Sequence, residues 1–86
     1  MQVGKVVKSL KGHDTGRVYL VIATIAEDFV LLADGKYRKL EYPKQKRIKH
    51  LEVLGDGNVP ENAKDSDIRK ICKLFQEVDH AEGRSH

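Results

Sequence analysis

Leu10-Lys11-Gly12-His13-Asp14-Thr15-Gly16-Arg17-Val18-Tyr19-Leu20-Val21-Ile22-Ala23-Thr24-Ile25 is the stretch from which the fold follows. Gly12 and Gly16 bracket a short polar segment, and an unbroken run rich in β-branched residues comes directly after it. Glycine suits a chain that must turn tightly, and Val, Ile, Tyr and Thr suit a pleated sheet, so the order reads strand, tight loop, central strand, the last from Arg17 to Ile25. Lys11 and Arg17 set one cation on each shoulder of the loop. Asp14, at its middle, is expected to hydrogen-bond the loop's own backbone as an Asx-type turn residue.

Upstream, Val3 to Leu10 alternates imperfectly and reads as a first strand, with Gly4 marking a bend of the kind small barrels need. Downstream, Glu27-Asp28 makes a polar turn into a third strand, Phe29-Val30-Leu31-Leu32. Asp34-Gly35 then has the composition of a two-residue type I′ hairpin, which predicts a fourth strand over Tyr37 to Tyr42, antiparallel to the third. Pro43 ends it, because proline has no N–H for a sheet ladder. The segment Lys44-Gln45-Lys46-Arg47-Ile48-Lys49-His50 is the densest cationic run and is expected to stay in water, before Leu51 and Val53, with Ile48, offer a short closing strand. Five short strands joined by tight turns predict a mainly β domain, a small and strongly bent barrel, over residues 1–54.

From Gly55 the composition changes. Gly55-Asp56-Gly57-Asn58-Val59-Pro60 reads as a turn or linker, with residues 55–64 leading into a single C-terminal helix over 65–80. Ile68, Ile71, Cys72 and Phe75 fall at i, i+3, i+4 and i+7, one apolar stripe, and Asp65 or Ser66 is placed to cap the helix. The simplest use of the stripe is docking on the barrel, with Cys72 as a small buried hydrophobe. Residues 81–86 read as a frayed tail.

Composition narrows the function. The 86 residues carry net charge +3, but Met1 to Leu54 holds 11 Lys plus Arg against 6 Asp plus Glu, and Gly55 to His86 holds 5 against 7. The first part is thus net +5 and the second −2, so a polyanion suits the first. The single cysteine forms no internal disulfide, and the four histidines lack metal-ligand spacing, so no cofactor or metal is expected and a reducing cytoplasm is inferred. No apolar run approaches the ~18 residues of a membrane span, and no signal-peptide pattern opens the chain. No nucleophile-base arrangement, paired carboxylates or phosphate loop is present, and an enzyme is not expected.

Lys11-Gly12-His13-Asp14-Thr15-Gly16-Arg17-Val18, with Val6 and Val7 ahead and Val21-Ile22 behind, resembles a KOW motif, an element of several ribosomal proteins and NusG-type transcription factors. The likeness continues through Val30-Leu31-Leu32-Ala33-Asp34-Gly35, Arg38-Lys39, a proline and a basic patch closing on His50-Leu51. It spans approximately Gln2 to Val53 and is similar to large-subunit ribosomal proteins with a KOW barrel and to bacterial KOW-domain RNA-binding proteins. Thr15 departs from it, because members often carry lysine just before the second glycine, which leaves this loop less basic.

The resemblance implies an SH3-like barrel and RNA binding within a ribonucleoprotein, with ribosomal RNA as the expected partner and no membrane. The chain is expected to be a monomer when free. The residues permit that chemistry, since Lys and Arg neutralise phosphates and release counterions. The candidate contacts are Lys11, Gly12, His13, Gly16 and Arg17 in the first loop and Lys36, Arg38, Lys39, Lys44, Lys46, Arg47 and Lys49 downstream. Gly12 and Gly16 are required by the turn whether or not RNA binds, and the tyrosines suit barrel packing as well as base stacking. The competing expectation is a protein-interaction module that docks on a ribosomal or transcription assembly through the barrel or the helix stripe.

Overall fold

The computed structural model of the protein describes the backbone of residues 1–84 and the side chains of residues 1–77. Five strands, β1 (Lys5–Ser9), β2 (Val18–Ala26), β3 (Phe29–Ala33), β4 (Lys44–Arg47) and β5 (Leu51–Asp56), form one sheet in the order β4-β3-β2-β1-β5, every pairing antiparallel. A helix, α1 (Asp65–Arg84), follows. The expectation of a small barrel-like β domain with one C-terminal helix holds.

β4 and β5 lie at opposite edges of the sheet yet are joined by a single 3-10 turn, Ile48–His50. So short a link forces the sheet to curl until its edges approach. The bending is visible in β2, whose first residues pair with β1 (Leu20 opposite Val6, Val18 opposite Lys8) while its later ones pair with β3. The register slips between Val21 and Ala23, between Thr24 and Ala26, and between Val6 and Val7 against β5. Such bulges bend and twist a strand locally.

Curling creates two cores. Val7, Tyr19, Val21, Val30, Leu32 and Leu51 pack inside the barrel, with Met1 and Ile48 against them. Val6, Val18 and Leu20, on the opposite side of the sheet, pack under Ile68 and Cys72 of α1, flanked by Ile71 and Phe75. Both faces of β1 and β2 are therefore covered, which is why their sequences do not alternate apolar with polar. The apolar stripe docks as expected. Burial pushes the Cys72 thiol up to about 12, with the Asp34 carboxylate adding to it, so the thiol is inert.

Five local expectations are corrected. The fourth strand is Lys44–Arg47, not Tyr37 to Tyr42, and it pairs Phe29 with Arg47 and Val30 with Lys46. Asp34-Gly35 makes no two-residue hairpin. The Asp34 carboxylate accepts the N–H groups of Lys36 (2.9 Å) and Arg38 (2.8 Å), which winds residues 34–43 into a loop across the start of α1. The helix begins differently too: Lys64 caps it, its carbonyl accepting from Asp67 and Ile68, while the Asp67 carboxylate accepts the Lys64 N–H at 2.9 Å. Asp65 instead accepts the Leu40 N–H at 2.8 Å, fastening the loop to the helix. Gly55 and Asp56, read as linker, extend β5, and α1 runs on to Arg84 through most of the expected tail, whose last residues, 85–86, lie outside the described residues.

Gly35 is the point where this loop meets α1. Its φ is +76°, and a Cβ there would stand 2.1 Å from the Asp65 carbonyl oxygen, a backbone atom that cannot yield. Gly16 has φ +91° but open space around it. A left-handed conformation costs an L-residue about 1–2 kcal/mol, and overpacking adds about 1–3 kcal/mol. Gly35→Ala is thus expected to destabilise the protein by at least twice as much as Gly16→Ala in urea unfolding; equal losses would contradict this packing.

Candidate nucleic-acid interface

The loop between β1 and β2 is built on a buried carboxylate. Asp14 is 5% exposed. One of its oxygens accepts from the Ser9 hydroxyl (2.8 Å) and the Lys46 ammonium (2.5 Å), the other from the Tyr19 hydroxyl (2.9 Å) and the Lys44 ammonium (2.8 Å). A carboxylate has about four acceptor sites, and here all are used. Lys46, 9% exposed, also donates to the Ser9 hydroxyl and the Lys11 carbonyl, both at 2.6 Å, so its three N–H groups are all engaged. Ser9 comes from β1, Tyr19 from β2, and Lys44 and Lys46 from β4. The network therefore clamps the first loop onto two central strands and one sheet edge.

Asp14 is thus the centre of an ionic cluster and not the Asx-turn residue expected. Burial alone would push its carboxyl up, but the Lys44 and Lys46 ammoniums and then the Ser9 and Tyr19 hydroxyls hold it well below the usual carboxylate range. Burial, then the hydrogen bond to Asp14 and its charge, push the Tyr19 phenol up to about 12. The loop's peptide groups turn inward as well: Gly16 N–H donates to the Ser9 carbonyl at 2.7 Å and Arg17 N–H to the Asp14 carbonyl at 2.9 Å. Gly16 consequently has no spare N–H for a ligand. Thr15 closes the turn by donating its hydroxyl to the Gly12 carbonyl at 2.7 Å.

The other candidates point outward. Lys11, Gly12, His13, Gly16, Arg17, Lys36, Arg38, Lys39, Arg47 and Lys49 are exposed, Lys44 is half-buried, and Lys46 is internal. Lys46 is therefore a structural cation, because its strand turns it toward Asp14.

Two groups of cations gather on either shoulder of the loop. On one side the Arg17 guanidinium lies 4.4 Å from the centre of the Tyr37 ring and the Lys36 ammonium 5.1 Å from it. On the other side Lys11, Lys49 and Arg47 surround His50, whose carbonyl accepts the Leu10 N–H at 2.9 Å. Desolvation and then the neighbouring cations hold the His50 imidazole below its ordinary value. Arg38 and Lys39 stand on the 34–43 loop and His13 in the turn of the first.

Of the nearby acids, the exposed Glu27 and Asp28 line a surface cleft with Arg47 and Lys49, and two others are turned inward. Asp14 is spent on Lys44 and Lys46, and Asp34, 8% exposed, on its own loop. Among the described residues, Lys11, Arg17, Lys36, Arg38, Lys39, Arg47 and Lys49 form no ion pair.

Tyr37 (62% exposed) and Tyr42 (72%) lie in solvent, whereas Tyr19 is core. Arg69 and Lys73, on the net acidic half, were missed as members of this surface. Their i, i+4 spacing, flanking the apolar stripe, is the signal that marks them. No family model matches the chain, and no curated protein is similar to it.

Removing one partner of a buried ion pair costs about 3–5 kcal/mol, against a total of roughly 4–13 kcal/mol for a chain of this length. Asp14→Ala is expected to bring the protein to the edge of unfolding. The pH profile follows from the same groups. The folded Asp14 value is depressed, so its contribution is complete above the unfolded value of about 4 and fades as pH falls below it. The Tyr19 value is raised, so its contribution is complete below about pH 10 and fades as pH rises toward about 12. Urea midpoints measured from pH 2 to 11 are expected to fall at both ends, and Tyr19→Phe to flatten the alkaline limb; an unchanged alkaline limb in that variant would contradict the assignment.

Proposed function

We propose that the protein is a non-enzymatic, cytoplasmic RNA-binding protein that docks electrostatically on structured RNA, ribosomal RNA being the class its KOW resemblance favours. The observation that carries the reading is the sorting of charge around the first loop: Asp14 and the nearby Asp34 are folded inward into hydrogen bonds, and Lys11, Arg17 and Lys36 are left outward without ion pairs. An exposed set of Lys and Arg without counter-charges is the arrangement that releases counterions on meeting a phosphate backbone. The grouped cations on both loop shoulders, with an exposed tyrosine between Arg17 and Lys36, add stacking to phosphate contact.

A second reading has one observation behind it. An open apolar cleft of about 490 Å³ lies between the sheet and the start of α1, where Val3, Ile22, Leu40 and Val59 meet Leu20 and Ile68. It favours a protein-interaction module, and it lies among different residues from the grouped cations, so the two readings are separable by mutation.

Fluorescence anisotropy with a labelled stem-loop RNA tests the first reading. Log affinity is expected to fall linearly with log salt, and Arg47→Glu with Lys49→Glu to weaken binding and reduce the slope by about two. Both residues are exposed, and melting temperatures check that the variant lacking the Arg47–Phe29 contact folds, whereas a change at Lys46 confounds binding with stability. Affinity indifferent to salt and to both substitutions would overturn the proposal.

A further inference from the structure

A cleft of about 380 Å³ separates the 34–43 loop from α1. Tyr37 and Lys36 line it from the loop, Arg69, Lys73 and Gln76 from the helix, and the buried Asp34 lines it as well. Arg69, Lys73 and Gln76 follow i, i+4, i+7 spacing and so share one helical face. The cleft falls within the ~300–1,000 Å³ typical of small-ligand sites.

Its walls are held in place before any ligand arrives. The Arg69 guanidinium donates to the Gly35 carbonyl (3.3 and 3.4 Å), Asp34 fixes the backbone of Lys36 and Arg38, and Asp65 holds Leu40. Tyr37 thus presents an aromatic surface, 62% exposed, on a turn whose backbone is fixed on either side of it. A tyrosine so placed adds nothing to the core, and fixing its backbone in advance lowers the entropy cost of binding on it. Cations surround it: Arg17 and Lys36 near the ring, Arg69 and Lys73 across the cleft.

The chemistry selects one class of ligand. A purely anionic chain would meet the cations but leave the ring unused and face the Asp34 carboxylate. A nucleotide suits it better, with a flat base for Tyr37, an amino donor for the Gln76 carbonyl oxygen, and a phosphate for Lys36 and Lys73. Bases within a duplex are stacked and paired, so only an unpaired one can enter.

We propose that this cleft takes a single unpaired nucleotide of a bound RNA, its base stacked on Tyr37 and its phosphate held by Lys36 and Lys73. The proposal rests on the RNA-binding reading above and adds selectivity to it. It also brings α1, from the net acidic part of the chain, into the interface.

The test uses two fluorescein-labelled hairpin RNAs with the same stem, one carrying a single bulged adenosine, titrated by anisotropy at several salt concentrations. The protein is expected to bind the bulged hairpin roughly ten-fold tighter. Tyr37→Ala is expected to abolish that preference with the salt slope unchanged, Tyr37→Trp to retain it, and Lys73→Ala to lower the slope on the bulged RNA by about one. Unchanged melting temperatures, expected for exposed positions, show that the variants are folded. Equal, strongly salt-dependent binding of both hairpins by the wild type would overturn this proposal while leaving general RNA binding intact. Binding of neither would overturn both, and a preference that survives Tyr37→Ala would overturn the assignment to this cleft.

Discussion

The ion pair between Asp14 and Lys46 is the constraint on which the rest of the structure depends. Burying a carboxylate and an ammonium together gains little over two apolar side chains of the same size, because desolvation offsets most of their attraction. What the pair supplies is a single acceptable geometry. Ser9, Tyr19, Lys44 and the Lys11 carbonyl complete the coordination of both charges, and they come from two central strands, one edge strand and the loop. Any other placement of β4 would leave a buried charge short of partners, at a cost of several kcal/mol. The pair thereby ties the sheet edge back over β1. It also turns a charge inward from an edge strand, a feature that discourages pairing with a second chain.

The same arrangement sets the electrostatics of the surface. Every carboxylate the fold uses near the first loop is removed from solvent: Asp14 into the cluster, Asp34 into its own turn, both nearly fully buried. The cations stay outside, Lys11, Lys49 and Arg47 on one shoulder, where the exposed Glu27 and Asp28 adjoin the last two, and Arg17 and Lys36 about Tyr37 on the other. A net charge of only +3 understates this, because Asp14 and Asp34 are internal and the part from Gly55 onward is net −2. The proposed function follows from that separation more than from the overall basicity.

Most of the fold was legible in the sequence. Val18 to Ile25 has the composition of a central strand, and Ile68, Ile71, Cys72 and Phe75 have the period of a docked helix. β4 was not legible, for a physical reason. Its one inward residue is Lys46, so the apolar alternation by which strands are recognised is absent, and its strand character comes from pairing with β3. Tyr37 to Tyr42 shows that alternation without the structure, because Asp34 satisfies the following N–H groups as a loop before a hairpin can form. The candidate site was half legible. The exposed cations stand out as charge, but a pairing between residues 14 and 46 leaves no local signature, and so Lys46 reads as one more surface cation.

An NMR titration of the isotopically labelled protein with a stem-loop RNA tests the central claim most directly. If outward cations around an inward-facing Asp14 cluster form the binding surface, amide shifts should concentrate at residues 11–17, 36–39 and 47–50, while Val3, Asn58 and Val59 around the apolar cleft stay unmoved. Shifts centred on that cleft, or none at RNA excess in low salt, would contradict it.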